Sequence, residues 1–540
     1  MPDVLLIQPP IRDFYLTVKR TIPYGLACMA SVLIENGFSV GILDALATSK
    51  TRIIDLPLEM DYLREYYGPA DRSPLALFHA FKHFGYSFAH IGRIAKQSGA
   101  FLVGISSLFT AYMDEAVRTA QAVKAGHPGC KIVLGGHHPT AVPRSVMGFA
   151  AVDFVLRGEG EVSIARLATA VKTGADFESV PGLVFRKPGG ALQVNAPVAM
   201  EHPDHYPAPA SHLINHRFYQ RNRKASMVIV ASRGCPMHCT YCSVGASSVL
   251  KYRRRSVVSI MDEIETAASR HPLGFIDFED ENLSLDRGWF LELLTAIRRR
   301  FPAEGPELRA MNGLFPPTLN HDVLTAMKTA GFKSINLSLV STDKEQLKRF
   351  HRPDVRGAVN RVLEHCEDLG LTAVAYVIAA APFQNAQDSL SDLLYLAGHR
   401  VLAGLSIFYP APGSADFNLC RTHGLLPQAF CRLRATALPI SHTTTRLQAV
   451  TLLRLSRIIN FMKLLADMKT PIPATDTRAV KINEPEDRIE AGTRLITRFL
   501  ADGIIRGISP QGKIFDHRTS TELTHRFLAG LESVKIRGTR

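Results

Sequence analysis

The sequence predicts two α/β units, a doubly wound parallel sheet followed by a partial (β/α)6 barrel, and then a mostly helical C-terminal region. Three observations predict this fold. Short apolar runs alternate with longer helical patterns in two separate series, a stretch rich in Pro and His lies between the series, and helical patterns dominate after residue 430. Strands that alternate with helices form parallel sheets, because each connection must cross back over the sheet.

The length and composition require several packed domains. The chain has 540 residues, with 46% hydrophobic and 21% charged residues, a mix that excludes extensive disorder and collagen-like sequence. At roughly 100 to 200 residues per domain, one core is too few. We predict a first domain over residues 1–195, a linker over 196–225, a barrel over 226–430 and a helical region over 431–540.

The first series predicts a sheet with a ligand at one edge. Its predicted strands and helices alternate over residues 4–7, 24–36, 38–43, 101–106, 112–125, 131–134 and 153–156. Three strand ends run into small or flexible residues, at 106–107, 135–136 and 158–161. In an open doubly wound sheet, ligands bind beyond the carboxyl ends of the strands. One large ligand could therefore contact all three turns.

The second series predicts a barrel. Its apolar runs lie at residues 227–231, 275–278, 308–311, 335–339, 373–378 and 404–407, with helical patterns between them. Six such units predict a parallel barrel or part of one, with functional residues at the carboxyl ends of the strands. After the barrel, residues 447–465 predict an amphipathic core helix, and residues 503–513 a short Gly-containing tail.

Charge and targeting signals indicate a cytoplasmic protein with no nucleic-acid partner. The net charge is +14, but the Arg triplets at 253–255 and 298–300 lack interleaved aromatics and are predicted to be solvated helix faces. The N-terminus carries an acid where a secretion signal needs a base. Arg454, Arg457 and Lys463 interrupt the apolar stretch 447–465, so we predict no transmembrane segment.

Three of the eight cysteines form a cluster. Cys235, Cys239 and Cys242 follow the first strand of the second series with the spacing CxxxCxxC. In a reducing compartment, such a cluster predicts metal binding or redox chemistry. Three thiolates can hold a cubane 4Fe-4S cluster and leave one iron open. Two alternatives remain, a zinc site with His238 as a strained fourth ligand, and three unrelated buried cysteines.

The cysteine spacing resembles the signature of the radical S-adenosylmethionine (SAM) superfamily. The resemblance implies that SAM chelates the open iron, and that an electron from the reduced cluster cleaves SAM to a 5′-deoxyadenosyl radical. It also implies an external electron donor, such as a flavodoxin or ferredoxin. Tyr241 occupies the position that helps to place the adenine in this family.

Later strand ends extend the resemblance. Residues 278–283 resemble the acidic segment near the methionyl amino group of SAM, which implies a role for Asp280 and Glu281 unless this is only a helix N-terminal charge cluster. Residues 335–341 resemble the segment near the ribose. Val340 stands where relatives often carry Glu, so Ser341 or Ser338 is the candidate contact. The strand-end loops at 381–383 and 409–414 also match the pattern.

The first domain resembles the cobalamin-binding domain fused to some radical SAM enzymes. The resemblance is carried by residues 24–26, 104–107, 135–140 and 157–161. The implied cobalamin contacts are Ser106, Ser107, Gly135, Gly136, His137, Gly158, Glu159 and Gly160. Many cobalamin domains carry Asp-x-His-x-x-Gly after the first strand, but residues 8–13 here contain no His. We therefore predict base-off cobalamin without a histidine lower ligand, and assign His137 and His138 to the wall of the site.

The resemblance implies an enzyme that methylates an unactivated carbon, or a phosphorus centre, through methylcobalamin. Oxidative ring formation or rearrangement without methyl transfer is the alternative within the family. A cobalamin-binding sensor with a structural metal site is the alternative from another class. The substrate is a small molecule, a lipid or a peptide. If a proton must leave the substrate, Tyr409 or a carboxylate near Asp280 is the candidate acceptor.

Overall fold

The computed structural model describes residues 1–15, 21–78, 80–244, 251–302, 304–475 and 487–540. Its N-terminal half contains a seven-stranded sheet. In spatial order the strands are Leu192–Val194, Leu183–Arg186, Phe154–Leu156, Lys131–Gly135, Leu102–Ser106, Val4–Gln8 and Val40–Asp44. The last five of these strands are parallel, and the first two are antiparallel additions at one edge.

Helices cover both faces of this sheet, which makes it doubly wound. Val4 and Leu6 join the core on one face, whereas Leu5 and Ile7 join the core on the other, as the alternation of a strand requires. The four long helices of this half are Tyr24–Glu35, Phe88–Ser98, Met113–Gly126 and Ile164–Thr173. Strand order reverses between Val4–Gln8 and Leu102–Ser106. Ligands bind at such a switch point in open α/β sheets.

A small antiparallel sheet, not predicted from the sequence, lies beside the first strand. It pairs Ile11–Asp13 and Thr51–Ile53 with Lys82–Phe84, and the short helix Leu63–Tyr67 lies within the same excursion of the chain. Its strands have three residues each, so no periodicity marks them in the sequence. The sheet fixes the loop that follows Val4–Gln8.

The second half forms the predicted partial barrel, and all six predicted strands are present. They are Lys224–Ile229, Leu273–Phe278, Glu307–Arg309, Ser334–Val340, Thr372–Ala379 and Leu402–Ile407. The parallel bridges Leu308 to Phe332 and Leu314 to Leu337 join the third and fourth strands. The helices are Val257–Arg270, Arg287–Arg300, His321–Ala330, Lys344–Arg349, Arg356–Leu369, Ala386–Ala397 and Ala415–Thr422.

Two sequence predictions in these regions are wrong. Arg253–Arg254 is not helical, because it pairs as a strand with Ser232–Arg233. Residues 503–513 are not a tail, because they contribute to the hairpin of Arg506–Ile508 with Ile514–Asp516, and a further helix follows it. The helices of the C-terminal region are Arg446–Asp467, Asp487–Asp502 and Thr521–Leu531.

The predicted core helix 447–465 is confirmed as Arg446–Asp467. Its buried Lys463 donates hydrogen bonds from Nζ to three backbone carbonyls, of Ala397 at 3.0 Å, His399 at 2.6 Å and Arg537 at 3.0 Å. The ammonium group thereby ties the last residues of the chain to the barrel. In the part of the chain that the structure describes, no helix has the length and apolar character needed to cross a membrane.

Candidate cofactor sites and active-site cleft

The cysteine loop begins where the short strand Ser232–Arg233 ends. Gly234 has φ +79°, in the left-handed region that favours glycine, so the chain can turn sharply into the loop. Burial raises the pKa of the Cys235 thiol, and the neighbouring Cys242 and Cys239 thiols raise it further. Cys235 therefore lies within electrostatic range of the Cys239 and Cys242 thiols, although among the described residues no three His, Cys, Asp or Glu side chains converge closely enough to hold a metal ion. This donor set fits a 4Fe-4S cluster with one open iron.

Asp280 supports the start of this loop. Its carboxylate is buried, and it accepts hydrogen bonds from the hydroxyl of Ser232 at 2.5 Å and from the backbone N–H of Ala231 at 3.3 Å. Burial raises its pKa to about 7. Both carboxylate oxygens therefore bond to the strand before the cysteines, and the predicted contact with SAM stays a prediction.

Glu281 has one carboxylate oxygen that is buried without a hydrogen-bond partner among the described residues. An unpaired buried acceptor costs free energy, so such a group marks a place where a ligand donor can bind. Desolvation lowers the pKa of His137, in the first domain, and Glu281 lies close enough to that side chain to oppose the lowering in part. The acidic segment thus faces the cobalamin half of the molecule.

Arg352 is a site residue that the sequence analysis missed. Its guanidinium donates to the Sγ of Cys239 at 3.6 Å and to the hydroxyl of Ser338 at 3.1 Å, and it lies 4.8 Å from the ring centroid of Phe315. A guanidinium beside a thiolate stabilises the charged sulfur. No local pattern marks this arginine, because its partners lie on three other segments of the chain.

The other residues predicted to contact SAM occupy different environments. The Ser341 hydroxyl is buried and donates to the carboxylate of Asp392 at 3.0 Å, so it already has an internal partner. Tyr241 packs edge-on against Phe350, with 4.9 Å between ring centroids, and burial raises its pKa. Of the two serine candidates for the ribose, Ser338 is the partly exposed one.

The carboxyl edge of the first sheet has the features of a cofactor cradle. Gly136 has φ +120°, and a Cβ on it would meet the carbonyl oxygen of Ser107 at 2.7 Å. The hydroxyl of Ser107 is buried without a hydrogen-bond partner among the described residues. Leu108 and Phe109, which follow it, are 40% and 54% exposed. An apolar surface beside a free polar group fits a large, flat cofactor such as cobalamin. Ser106 and Gly135 pair directly at this edge.

The two histidines of this edge differ in exposure. His138 is buried, its Nδ1 lies 3.1 Å from the Thr110 hydroxyl, and burial lowers its pKa to about 4. The side chain of His137 is exposed to solvent, and its partial desolvation by the surrounding protein lowers its pKa. The assignment of both histidines to the wall of the cobalamin site stays a prediction.

The turn after Phe154–Leu156 binds the strand that precedes the cysteines. Glu159 accepts two hydrogen bonds from Arg253, at 2.7 and 3.0 Å, and one from the backbone N–H of Met200 at 2.6 Å. Glu161 pairs with Arg233 at 2.6 Å. The carboxylate of Glu159, predicted to contact cobalamin, is therefore engaged by arginines of the second half. Gly158 and Gly160 flank it in the same turn.

The cysteine loop lies near the carboxyl edge of the first sheet. Burial raises the pKa of Tyr409, and the nearby Tyr15 phenol and Cys242 thiol raise it further. Tyr15 belongs to the first half and Cys242 to the cysteine loop, so Tyr409 lies within electrostatic range of both halves. Gly413 also bridges the halves, because a Cβ on it would lie 3.5 Å from Ala141 and 3.9 Å from Ser243.

Comparison with protein families identifies both halves. A family model for the B12 binding domain matches residues 81–168, and a model for the Radical SAM superfamily matches residues 229–394. The chain belongs to the radical SAM enzymes that carry a B12 binding domain. The first match contains the cradle at Ser107 and Gly136, and the second contains all three clustered cysteines.

Curated relatives of this radical SAM enzyme include proteins named as methyltransferases and as cyclases. The chain is 23% identical to an uncharacterized methyltransferase of Pyrococcus horikoshii, over 78% of this chain and 84% of the relative. It is 24% identical to the cytidylyl-2-hydroxyethylphosphonate methyltransferase of Streptomyces wedmorensis, over 75% and 78%. It is 26% identical to the anaerobic magnesium-protoporphyrin IX monomethyl ester cyclase of Rubrivivax gelatinosus, over 59% and 58%.

Two solved structures share the fold of this radical SAM enzyme. The cobalamin-dependent radical enzyme OxsB aligns with a TM-score of 0.66 and 12% identity, over 98% of this chain and 79% of that chain. The methyltransferase TsrM from Kitasatospora setae aligns with a TM-score of 0.58 and 17% identity, over 77% of each chain. The order of a doubly wound domain, a partial barrel and a helical region is therefore common to these proteins.

Proposed function

We propose that the enzyme transfers a methyl group to an unactivated carbon, or to a phosphorus centre, of a small-molecule, lipid or peptide substrate. One observation carries the proposal. The segment that follows the cysteines lies near the carboxyl edge of the first sheet, because a Cβ on Gly413 would lie 3.5 Å from Ala141 and 3.9 Å from Ser243, and Tyr409 lies within electrostatic range of both Cys242 and Tyr15. A substrate activated at one cofactor must receive its methyl group from the other, so both must reach one bound molecule.

In this proposal the cysteine loop and the cradle have separate tasks. Cys235, Cys239 and Cys242 would hold the 4Fe-4S cluster, and the cradle at Ser107 and Gly136 would hold cobalamin. When bound, the cluster with SAM supplies a 5′-deoxyadenosyl radical, and cobalamin supplies a methyl group carried on cobalt. The protein positions these groups. Tyr409 is the candidate acceptor if the substrate must lose a proton.

Base-off cobalamin without a histidine ligand is part of the proposal. Residues 8–13 contain no His, and His138 is buried against Phe430, with 5.1 Å between ring centroids. His137 is the remaining histidine of the turn. We expect the EPR spectrum of the bound cob(II)alamin to lack nitrogen hyperfine splitting from the protein. Splitting that disappears in His137→Phe would contradict this expectation.

The relatives support methyl transfer over ring formation, since two relatives that align with three quarters or more of this chain are named as methyltransferases. Ring formation is the second candidate function. It is supported by the likeness to the cyclase of Rubrivivax gelatinosus. A binding protein without catalysis would require the cysteine loop to serve only a structural role.

The test is anaerobic reconstitution with iron, sulfide and hydroxocobalamin, followed by reduction in the presence of methyl-labelled SAM. Formation of both S-adenosylhomocysteine and 5′-deoxyadenosine supports methyl transfer. Formation of 5′-deoxyadenosine alone favours ring formation. If neither product forms, the result favours a binding protein. Cys239→Ala is expected to abolish cluster absorbance and both products. Cys130→Ala, which removes a buried thiol at the opposite end of the first sheet, serves as the matched control.

A further inference from the structure

The cysteine loop is bound on its outer side by one short helix, Lys344–Arg349. Thr240, which lies between Cys239 and Cys242, donates from its backbone N–H to the carbonyl of Phe350 at 3.1 Å and from its hydroxyl to the carbonyl of Arg349 at 3.1 Å. The end of this helix is therefore one hydrogen bond away from the residues that hold the cluster.

A second helix, Ala415–Thr422, meets the loop at the same residue. The backbone N–H of Asp416 donates to the carbonyl of Thr240 at 2.9 Å. The buried Leu347, Phe350 and Cys420 pack together in a small core that Tyr241 also contacts. Because this core fixes both helices to the loop, the outer surface of the helices has a defined position relative to the cluster ligands.

The outer surface of these helices is positively charged. Lys344, Lys348, Arg349 and Arg421 are all exposed. Within the described part of the chain, none of these four cations forms an ion pair. Glu345 is the exposed acid on the first helix. We call Lys344, Lys348, Arg349 and Arg421 the basic patch.

We propose that the basic patch is the docking surface for an acidic one-electron donor protein that reduces the cluster. The inference rests on the proposed function, because only a redox-active cluster needs such a donor. One electron leaves the reduced donor and enters the cluster, so the donor is oxidised by one electron and no proton or group moves. Complementary charge speeds encounter and orients the partners, and docking here brings the donor against the loop that carries Cys239 and Cys242.

The test compares charge reversals at two places on the barrel. Lys344→Glu with Lys348→Glu changes the basic patch. Arg298→Glu with Arg299→Glu is the matched control, since both arginines are exposed at the C-terminal end of helix Arg287–Arg300. That end leads into the strand Glu307–Arg309, so it lies at the amino-terminal end of the barrel, opposite the cysteine loop.

Two readouts are measured on the reconstituted full chain with a purified acidic flavodoxin as the probe. The first is the dissociation constant of the complex at several salt concentrations. The second is the rate of cluster reduction by the reduced flavodoxin, followed by absorbance. In the patch variant we expect at least tenfold weaker binding, at least tenfold slower reduction and a smaller dependence of both on salt. The control variant is expected to differ from the wild type by less than threefold.

Reduction by dithionite separates this inference from the proposed function. Dithionite needs no docking surface, so both variants should reach the same reduced cluster and the same yield of 5′-deoxyadenosine. If the wild type yields none, the proposed function fails, while flavodoxin binding still tests the patch. Equal losses in both variants would show a general charge effect and overturn the inference. A patch variant that loses binding to duplex DNA but keeps its binding to flavodoxin would also overturn the inference.

Discussion

The pair of Glu159 with Arg253 gives a sharp test of how the two halves are held together. Glu159→Gln keeps the shape of the side chain but removes its charge. The side chains of Glu159 and Arg253 are 9% and 11% exposed, so the change leaves a buried cation without its partner. Arg233, which lies 3.6 Å from Glu159, keeps its second partner Glu161.

The expected loss follows from these contacts. Breaking a buried ion pair by removing one partner costs about 3 to 5 kcal/mol. Arg253 retains a hydrogen bond to the carbonyl of Met200, and a Gln at position 159 can still accept one hydrogen bond. We therefore expect the free energy of unfolding to fall by about 2 to 4 kcal/mol. Urea unfolding of the cobalamin-free protein measures this, since bound cofactor would mask part of the loss.

Glu178→Gln is the matched control within the same domain. Glu178 pairs with Lys187 at 2.5 Å, but its side chain is 54% exposed, so we expect a loss of at most about 1 kcal/mol. The affinity for cobalamin separates two roles for Glu159. If Glu159→Gln leaves the unfolding free energy unchanged and weakens cobalamin binding instead, the carboxylate contacts the cofactor directly and our reasoning from the ion pair is refuted.

Three further substitutions test other parts of the structure. Gly136→Ala places a Cβ 2.7 Å from the carbonyl of Ser107, so cobalamin should bind at least tenfold more weakly by absorbance titration, whereas Gly129→Ala, with open space around it, should bind normally. Burial raises the pKa of Asp392 to about 7 in the folded state, so its folding contribution is lost as pH rises from about 4 to about 7; the unfolding free energy of the wild type relative to Asp392→Asn should fall over that same range and level off above it, and a constant difference would contradict this. Lys463→Met leaves three carbonyls without their donor, so we expect a loss of about 2 to 4 kcal/mol in urea unfolding and faster proteolysis of the C-terminal end; an unchanged midpoint would count against the role of the ammonium.

The sequence was sufficient to predict both sheets because the long buried strands carry an uninterrupted apolar signal. Residues 4–7 and 335–339 are examples that the structure confirms as Val4–Gln8 and Ser334–Val340. The small sheet at Ile11–Asp13 was missed because each strand is three residues long and its partners are distant in the chain. Arg253 and Arg254 were misassigned to a helix because their pairing with Ser232–Arg233, a tertiary contact, overrides the helical propensity of arginine.

The candidate site could be predicted only where function requires a fixed local spacing. The cysteines at 235, 239 and 242 meet that condition. Arg352 does not, since its contact with Cys239 spans more than a hundred residues of chain. Asp280 and Ser341 are residues for which the sequence predicted a ligand contact but the structure shows an internal hydrogen bond. Both stand at the strand ends where the resemblance places SAM contacts, but their polar atoms bond to Ser232 and Asp392 within the protein.

Arg434 is translated long after the first sheet, yet it contacts the carboxyl edge of that sheet. Its guanidinium pairs with Asp13 at 3.0 Å and donates to the carbonyls of Arg12 at 2.8 Å and Ala111 at 2.5 Å, so it fixes the two loops that flank the switch point of the first sheet. A nascent chain makes Asp13 long before Arg434. The first sheet can fold early on the ribosome, but this edge is completed only after the barrel has been translated. We expect cobalamin to be acquired late, by a nearly finished chain.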